Sequence, residues 1–132
     1  MVFVDSSFWI ALASRRDAHH GEAEELLEAC DEALLTSNHV RGETWTWLNR
    51  RHGHRSSVAF VDSLGSRRVQ VRLVPEELES EALDWLRRHD ERAYSFVDAT
   101  SFALMRSLGI REALAFDGDF GAAGFTELRA FT

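Results

Sequence analysis

Lysine is absent from this chain: all fifteen basic residues are arginine. Every mechanism built on a lysine amine is thereby excluded, including the P-loop, Schiff-base chemistry and the lysine-dependent aspartyl-phosphate receivers. Cysteine is nearly absent too. The single Cys30 can form neither an internal disulfide nor a cysteine-based zinc site, and at an apolar helical position it reads as a core thiol in a reducing compartment. One proline and eight glycines leave little material for a linker. No apolar run reaches the length of a membrane span, and the start at Met1 to Val4 lacks the basic and apolar regions of a signal peptide. The expected location is the cytoplasm, with no membrane association.

What is present suits one compact domain over residues 1–132, because 132 residues at 45% hydrophobic content supply a sizeable core and no room for a second. The net charge of −7 argues against nonspecific binding to nucleic acid. The basic residues are bunched, however. Arg50, Arg51, His52, His54 and Arg55 form one cluster, Arg67, Arg68 and Arg72 a second, and Arg87, Arg88, His89 and Arg92 a third. Arginine near a helix C-terminus is also favoured by the helix dipole alone, so solvated helix ends are the ordinary reading of each cluster.

Apolar patterning alternates between strand and helix. Val2, Phe3 and Val4 predict a buried strand that runs through Asp5, Ser6 and Ser7 into a buried helix from Phe8 to Ala13. Asp17 is placed to cap the next helix, whose stripe is Ala23, Leu26, Leu27 and Cys30. Ala33 to Leu35 predict a second strand, followed by the cap-type residues Thr36, Ser37 and Asn38 and a helix that carries Glu43, Trp47 and Leu48. A helix over Ser56 to Leu64 is expected to stop at Gly65. Val69, Val71 and Leu73 alternate as in an edge strand. Pro75 opens a helix in the N1 manner, with Leu78, Ala82, Trp85 and Leu86 buried. A strongly apolar helix begins near Asp98 and ends at Gly109, Ala113 to Phe116 make another buried strand, and the tail from Phe125 to Phe131 adds a last edge strand. This alternation predicts an α/β fold with a mainly parallel sheet covered on both faces, whose ligands bind at the carboxyl ends of the strands.

Four carboxylates, Asp5, Glu43, Asp98 and Asp117, fall where an apolar segment ends or a helix begins. Each has an ordinary reading: Asp5 and Asp98 as N-caps, Asp117 and Asp119 as a turn around Gly118, Glu43 as a surface residue. Together they say more. Glu43 lies among Trp45, Trp47 and Leu48, and Asp98 follows Phe96 and Val97, apolar neighbourhoods in which an unpaired carboxylate is costly. Gathered within a few Å, such groups repel by roughly 4 kcal/mol per pair at an effective dielectric of about 20, so convergence requires a cation. Magnesium, or manganese, is the natural one for oxygen ligands.

The segments VDSSFWIAL, SNHVRGETWTWL, SFVDATSFALM and LAFDGDF, in this order and over essentially the whole chain, resemble the four signature regions of the PIN-domain ribonucleases, and more narrowly the VapC-type toxins of toxin–antitoxin pairs. The resemblance implies a three-layer α/β/α PIN-like fold and a metal-dependent endoribonuclease that leaves a 5′-phosphate and a 3′-hydroxyl. It implies Asp5 and Asp98 as principal magnesium ligands, Glu43 and Asp117 completing the pocket directly or through water, Asp119 as an accessory acid, and Ser6 as a small hydroxyl residue beside the metal. It further implies a VapB-like antitoxin as partner and a homodimer. The family often has threonine two residues before the fourth acid, where this chain has Ala115.

Other readings are weighed on residues. An EF-hand at Asp117, Gly118 and Asp119 fails because Leu128 stands at the twelfth position. Zinc would need His19, His20, His52 or His54, adjacent histidines of the kind more often found exposed. Trp45, Trp47 and Trp85 read equally as interface anchors and as core. The alternative from another class is a noncatalytic PIN-like module that binds RNA or protein.

Overall fold

A computed structural model describes residues 1–67 and 69–130. Arg68 of the second arginine cluster, and Phe131 at the end of the expected last strand, lie outside the described residues. Five strands, β1 (Val2–Val4), β2 (Leu34–Ser37), β3 (Gln70–Arg72), β4 (Glu112–Leu114) and β5 (Thr126–Glu127), form one sheet in the order β3-β2-β1-β4-β5. Every pairing is parallel, with Phe3 opposite both Leu35 and Ala113. The central strand β1 is fully buried, as the uninterrupted run Val2, Phe3, Val4 requires of a strand covered on both faces.

Among the described residues seven helices connect the strands: α1 (Ser6–Ala13), α2 (His20–Ala29), α3 (Asn38–His52), α4 (His54–Ser66), α5 (Glu76–Arg88), α6 (Phe96–Leu108) and α7 (Asp119–Ala122). The chain steps from β1 to β2 to β3 in one direction, then crosses back to β4 and β5. Right-handed crossovers therefore put α1 to α4 on one face and α5 to α7 on the other. The contacts agree, α1 packing on α2, α3 and α4, and α6 packing on α5 and α7. The result is a three-layer α/β/α sandwich. Strand order reverses between β1 and β4, so the crevice at their carboxyl ends is the switch point where such sheets bind ligands.

Helix α6 shows how locally consistent this chain is. Asp98 to Met105 are all buried, Ser95 and Asp98 exchange the two hydrogen bonds of a capping box, and Gly109 ends the helix at φ 69.

Some expectations are corrected. Helix α4 runs through Gly65 to Ser66, with Arg67 as its C-cap, because no left-handed residue is needed there; the positive φ falls instead on Gly53, between α3 and α4. Pro75 is the N-cap of α5, one position before N1, its ψ of 163° being outside the helical range. Asp17 does not cap α2: its Oδ1 accepts from the His19 N–H at 2.8 Å, closing a local turn before the helix starts at His20. Cys30 is a half-buried C-cap residue at the edge of the core, because α2 ends at Ala29 before its stripe could carry the thiol inward. Among the tryptophans, Trp85 is core and Trp45 and Trp47 are half-buried on α3.

Candidate metal centre

The end of β1 delivers the first acid. Asp5 is the N-cap of α1 and is only 1% exposed, and its backbone N–H is held by the Leu114 carbonyl of β4. The capping reading is therefore correct, and it uses one oxygen only. Asp5 Oδ2 accepts from the Ser7 N–H at 3.2 Å and from Ser7 Oγ at 2.8 Å. Asp5 Oδ1 is buried with no hydrogen-bond donor among the described residues. Ser7 Oγ in turn accepts from the Phe116 N–H at 3.0 Å, which pins the segment leading to Asp117 against α1.

Asp98, 7% exposed, enters from the first turn of α6, its Oδ2 held by the Ser95 N–H at 2.9 Å. Asp117 follows β4 and comes within hydrogen-bonding reach of Asp5. Its Oδ1 accepts from the Asp119 N–H at 3.1 Å across the turn at Gly118, whose φ of 82 a residue with a side chain rarely adopts. One carboxylate oxygen each of Asp98, Asp117 and Asp119 lies within 4.8 Å of the others. Arg92 Nε and Nη2 both donate to Asp119 Oδ1, at 3.0 and 2.8 Å.

Glu43 is placed differently. Like Asp5 it sits outside that group of three, but unlike Asp5 it is exposed on α3, so the expectation of a costly apolar burial is corrected, although Trp47, one turn on, lines the same groove. It is joined to the site by Ser6, whose Oγ donates to Glu43 Oε1 at 2.5 Å. Two adjacent serines thus connect three acid-bearing segments, Ser6 reaching α3 and Ser7 reaching both Asp5 and the loop after β4. Ser7 and Ser95 were not singled out in the sequence, although a serine three residues before Asp98 is a readable capping signal. The role of Ser7 needed the third dimension, since Phe116 is 109 residues away.

The electrostatics follow from burial and crowding. Asp5 is pushed up to about 8, first by its burial and then by the charges of Asp117 and Asp98, against the opposing hydrogen bonds from Ser7. Asp98 is pushed up to about 6 by burial and the charges of Asp117 and Asp119, against the Ser95 N–H. The carboxylate of Asp117 is also raised, by its burial and by the charges of Asp119 and Glu127, against hydrogen bonds from the Asp119 N–H and Asp5. All three hold protons more tightly than ordinary carboxylates, which is what acids do when gathered without enough positive charge. The donor set is carboxylate oxygen throughout, Asp98, Asp117 and Asp119 with the buried, unsatisfied oxygen of Asp5 nearby, and that set fits a hard divalent cation. The histidines are engaged elsewhere, His20 on the Ala11 carbonyl, His52 and His54 against Trp47 and Trp45, and His19 stacked on Phe116.

From Glu43 a groove of about 740 Å³ runs along α3, lined by His39, Thr46, Trp47, Arg50 and Arg51. Arg50 and Arg51 of the first arginine cluster therefore share one depression with Glu43.

Acids converging at the switch point of a parallel three-layer sheet define a class, and the family model of the PIN domain matches residues 2–126. The chain belongs to the PIN-domain family. The 23S rRNA-specific endonuclease VapC20 of Mycobacterium tuberculosis is 58% identical over 129 residues, spanning 98% of each chain, in both the H37Rv and CDC 1551 strains. The crystal structure of that VapC20, described as a sarcin–ricin loop cleaving toxin, superposes with a TM-score of 0.94 at 57% identity, covering 98% of this chain and all of that one.

Proposed function

We propose that this chain is a divalent-metal-dependent endoribonuclease of the VapC toxin type, acting as a single PIN unit over 1–132 in the cytoplasm. Its substrate class is a structured RNA loop, and the similarity to VapC20 points to the sarcin–ricin loop of 23S rRNA. The observation that carries this reading is the buried, donorless Oδ1 of Asp5, set among further acids at the carboxyl ends of β1 and β4. Without a cation such a buried carboxyl is tolerated by keeping its proton, as Asp5 does, and a bound cation takes the proton's place.

Asp5 and Asp98 would hold the ion, with Glu43 and Asp117 closing the pocket directly or through water, and magnesium suits these ligands, with manganese a close substitute. When bound, the ion supplies Lewis acidity, which favours ionisation of water at the site and offsets charge on the leaving oxygen. The chain's own residues do the rest. Ser7 and the Ser95 N–H each occupy one oxygen of Asp5 and Asp98 and so aim the other inward. Ser6 fixes Oε1 of Glu43, and Oε2 is left to take a proton from the attacking water. The water oxygen bonds to phosphorus as the bond to the 3′-oxygen breaks, leaving a 5′-phosphate and a 3′-oxygen that takes a proton from solvent while Glu43 returns its own to solvent. Arg50 and Arg51, farther along the groove, hold the flanking backbone. A VapB-like antitoxin and a homodimer complete the reading, as the VapC-type resemblance implies.

The test is cleavage of a hairpin RNA carrying the sarcin–ricin loop, with magnesium, with manganese and with chelator. Wild type is expected to cut only with metal, and Asp5→Asn to lose at least 10²-fold, in line with removal of a group that stabilises developing charge. RNA binding without metal-dependent cutting would instead identify a noncatalytic module.

A further inference from the structure

Arg92 stands on the segment between α5 and α6, three residues before Ser95, so the same stretch of chain that caps Asp98 also carries a guanidinium to the acids. Among the described residues, Arg92 with Asp119 is the one ion pair made by any of Asp5, Glu43, Asp98, Asp117 and Asp119. Its Nη2 lies 3.6 Å from where a Cβ on Gly118 would stand, which sets it over the turn joining Asp117 to Asp119.

The manner of pairing is informative. Arg92 spends its Nε and Nη2 side on a single oxygen, Asp119 Oδ1. Nη1 has no protein partner among the described residues, and the side chain remains 41% exposed. A guanidinium has a second edge, formed by Nη1 and the other hydrogen of Nη2, whose spacing matches two oxygens of a phosphate. Asp119 thus holds one edge and leaves the other presented beside the acid cluster. An arginine serving only to cancel the repulsion among these acids would be expected to bridge Asp119 to Asp117; this one binds Asp119 alone.

Building on the ribonuclease reading, we infer that Arg92 is a catalytic residue that donates from its free edge to the non-bridging oxygens of the scissile phosphate, and that Asp119 is its tether rather than a metal ligand. This assigns the two acids of the Asp117–Gly118–Asp119 turn to different tasks, Asp117 facing Asp5 and Asp119 facing Arg92. Charge that grows on the phosphate oxygens during attack is met by donors already in position.

The experiment pairs magnesium titration of the RNA-free protein by calorimetry with kinetics on the sarcin–ricin hairpin, for Arg92→Gln, Arg92→Ala, Asp119→Asn, Asp98→Asn and Asp5→Asn. Arg92→Gln is expected to lower kcat on the order of 10²-fold while binding magnesium as tightly as wild type or more so, since a nearby positive charge has gone. Added guanidine should restore part of the rate of Arg92→Ala, which a folding defect would not allow. Asp119→Asn should keep its magnesium affinity and lose rate, whereas Asp98→Asn should lose the metal. Wild-type kcat in Arg92→Gln, magnesium affinity lost in parallel with rate in that variant, or magnesium affinity in Asp119→Asn as poor as in Asp98→Asn would each overturn the inference. The ribonuclease reading is scored separately: no metal-dependent cutting by wild type, or wild-type cleavage in Asp5→Asn, removes it, and this inference would fall with it.

Discussion

At the scale of single residues, Asp5 does two jobs with its two oxygens. Oδ2 caps α1, and Oδ1 is left for the site. The consequence is a stability that depends on both pH and metal. Folded Asp5 and Asp98 hold protons up to about pH 8 and 6, whereas in the unfolded chain they release them near pH 4. Between those values the folded state carries the extra protons, so the stability of chelated protein should fall as pH rises from about 4 to 8. Metal takes the place of those protons. Thermal melts should therefore show magnesium raising the melting temperature strongly at pH 8 and little at pH 5, and equal effects at both would show that Asp5 and Asp98 do not share the ion.

At the scale of elements, the site is an assembly of helix starts. Asp5 begins α1, Asp98 lies in the first turn of α6, and Asp119 opens α7. Helix N-termini present unpaired N–H groups and the positive end of the dipole, which lowers the cost of bringing anions together. In α6 the capping box links helix stability to site geometry, since Ser95 Oγ accepts from the Asp98 N–H while Asp98 returns a bond to the Ser95 N–H. Replacing Ser95 by alanine should cost about 1 kcal/mol in urea unfolding and weaken magnesium binding together, because the turn that aims Asp98 loosens. Unchanged magnesium affinity at the lower stability would mean that Asp98 is held by packing alone.

At the scale of the whole molecule, the acids are held by a core on the α5–α7 face whose centre is Phe102. Its ring centroid lies 4.9 Å from that of Phe120, 5.3 Å from Trp85, 5.5 Å from Phe125 and 5.8 Å from Tyr94. Phe120 belongs to α7, the helix that begins at Asp119, so this cluster ties the acidic turn to α6. Truncating Phe102 to alanine should cost about 3–5 kcal/mol, a large part of a typical domain's stability of about 5–15 kcal/mol. Denaturant titration would measure it, and a loss below about 1 kcal/mol would show that the cluster can collapse around the void.

Much of this was legible in the chain. The run Val2 to Val4, the cap residue Ser37 and the stop at Gly109 are local signals, and they specify strands and helices because each depends on neighbours a few residues away. The cap before Asp98 is Ser95, where the chain alone points to Asp98 itself as the cap. The alternation of those elements implies a parallel sheet, and a parallel sheet implies a site at its carboxyl edge, so Asp5 and Asp117 could be picked out by their positions after strands and Asp98 by its place at a helix start. What the sequence could not determine is which atoms face which. Ser7 meets Phe116 across 109 residues and Arg92 meets Asp119 across 27, while Glu43 is exposed yet tied in through Ser6. Those pairings depend on the register of β1 between β2 and β4 and on where each crossover lands, which are set by packing of the whole core. Chemistry at this site needs positions good to a fraction of an ångström, and only the closed tertiary structure supplies them.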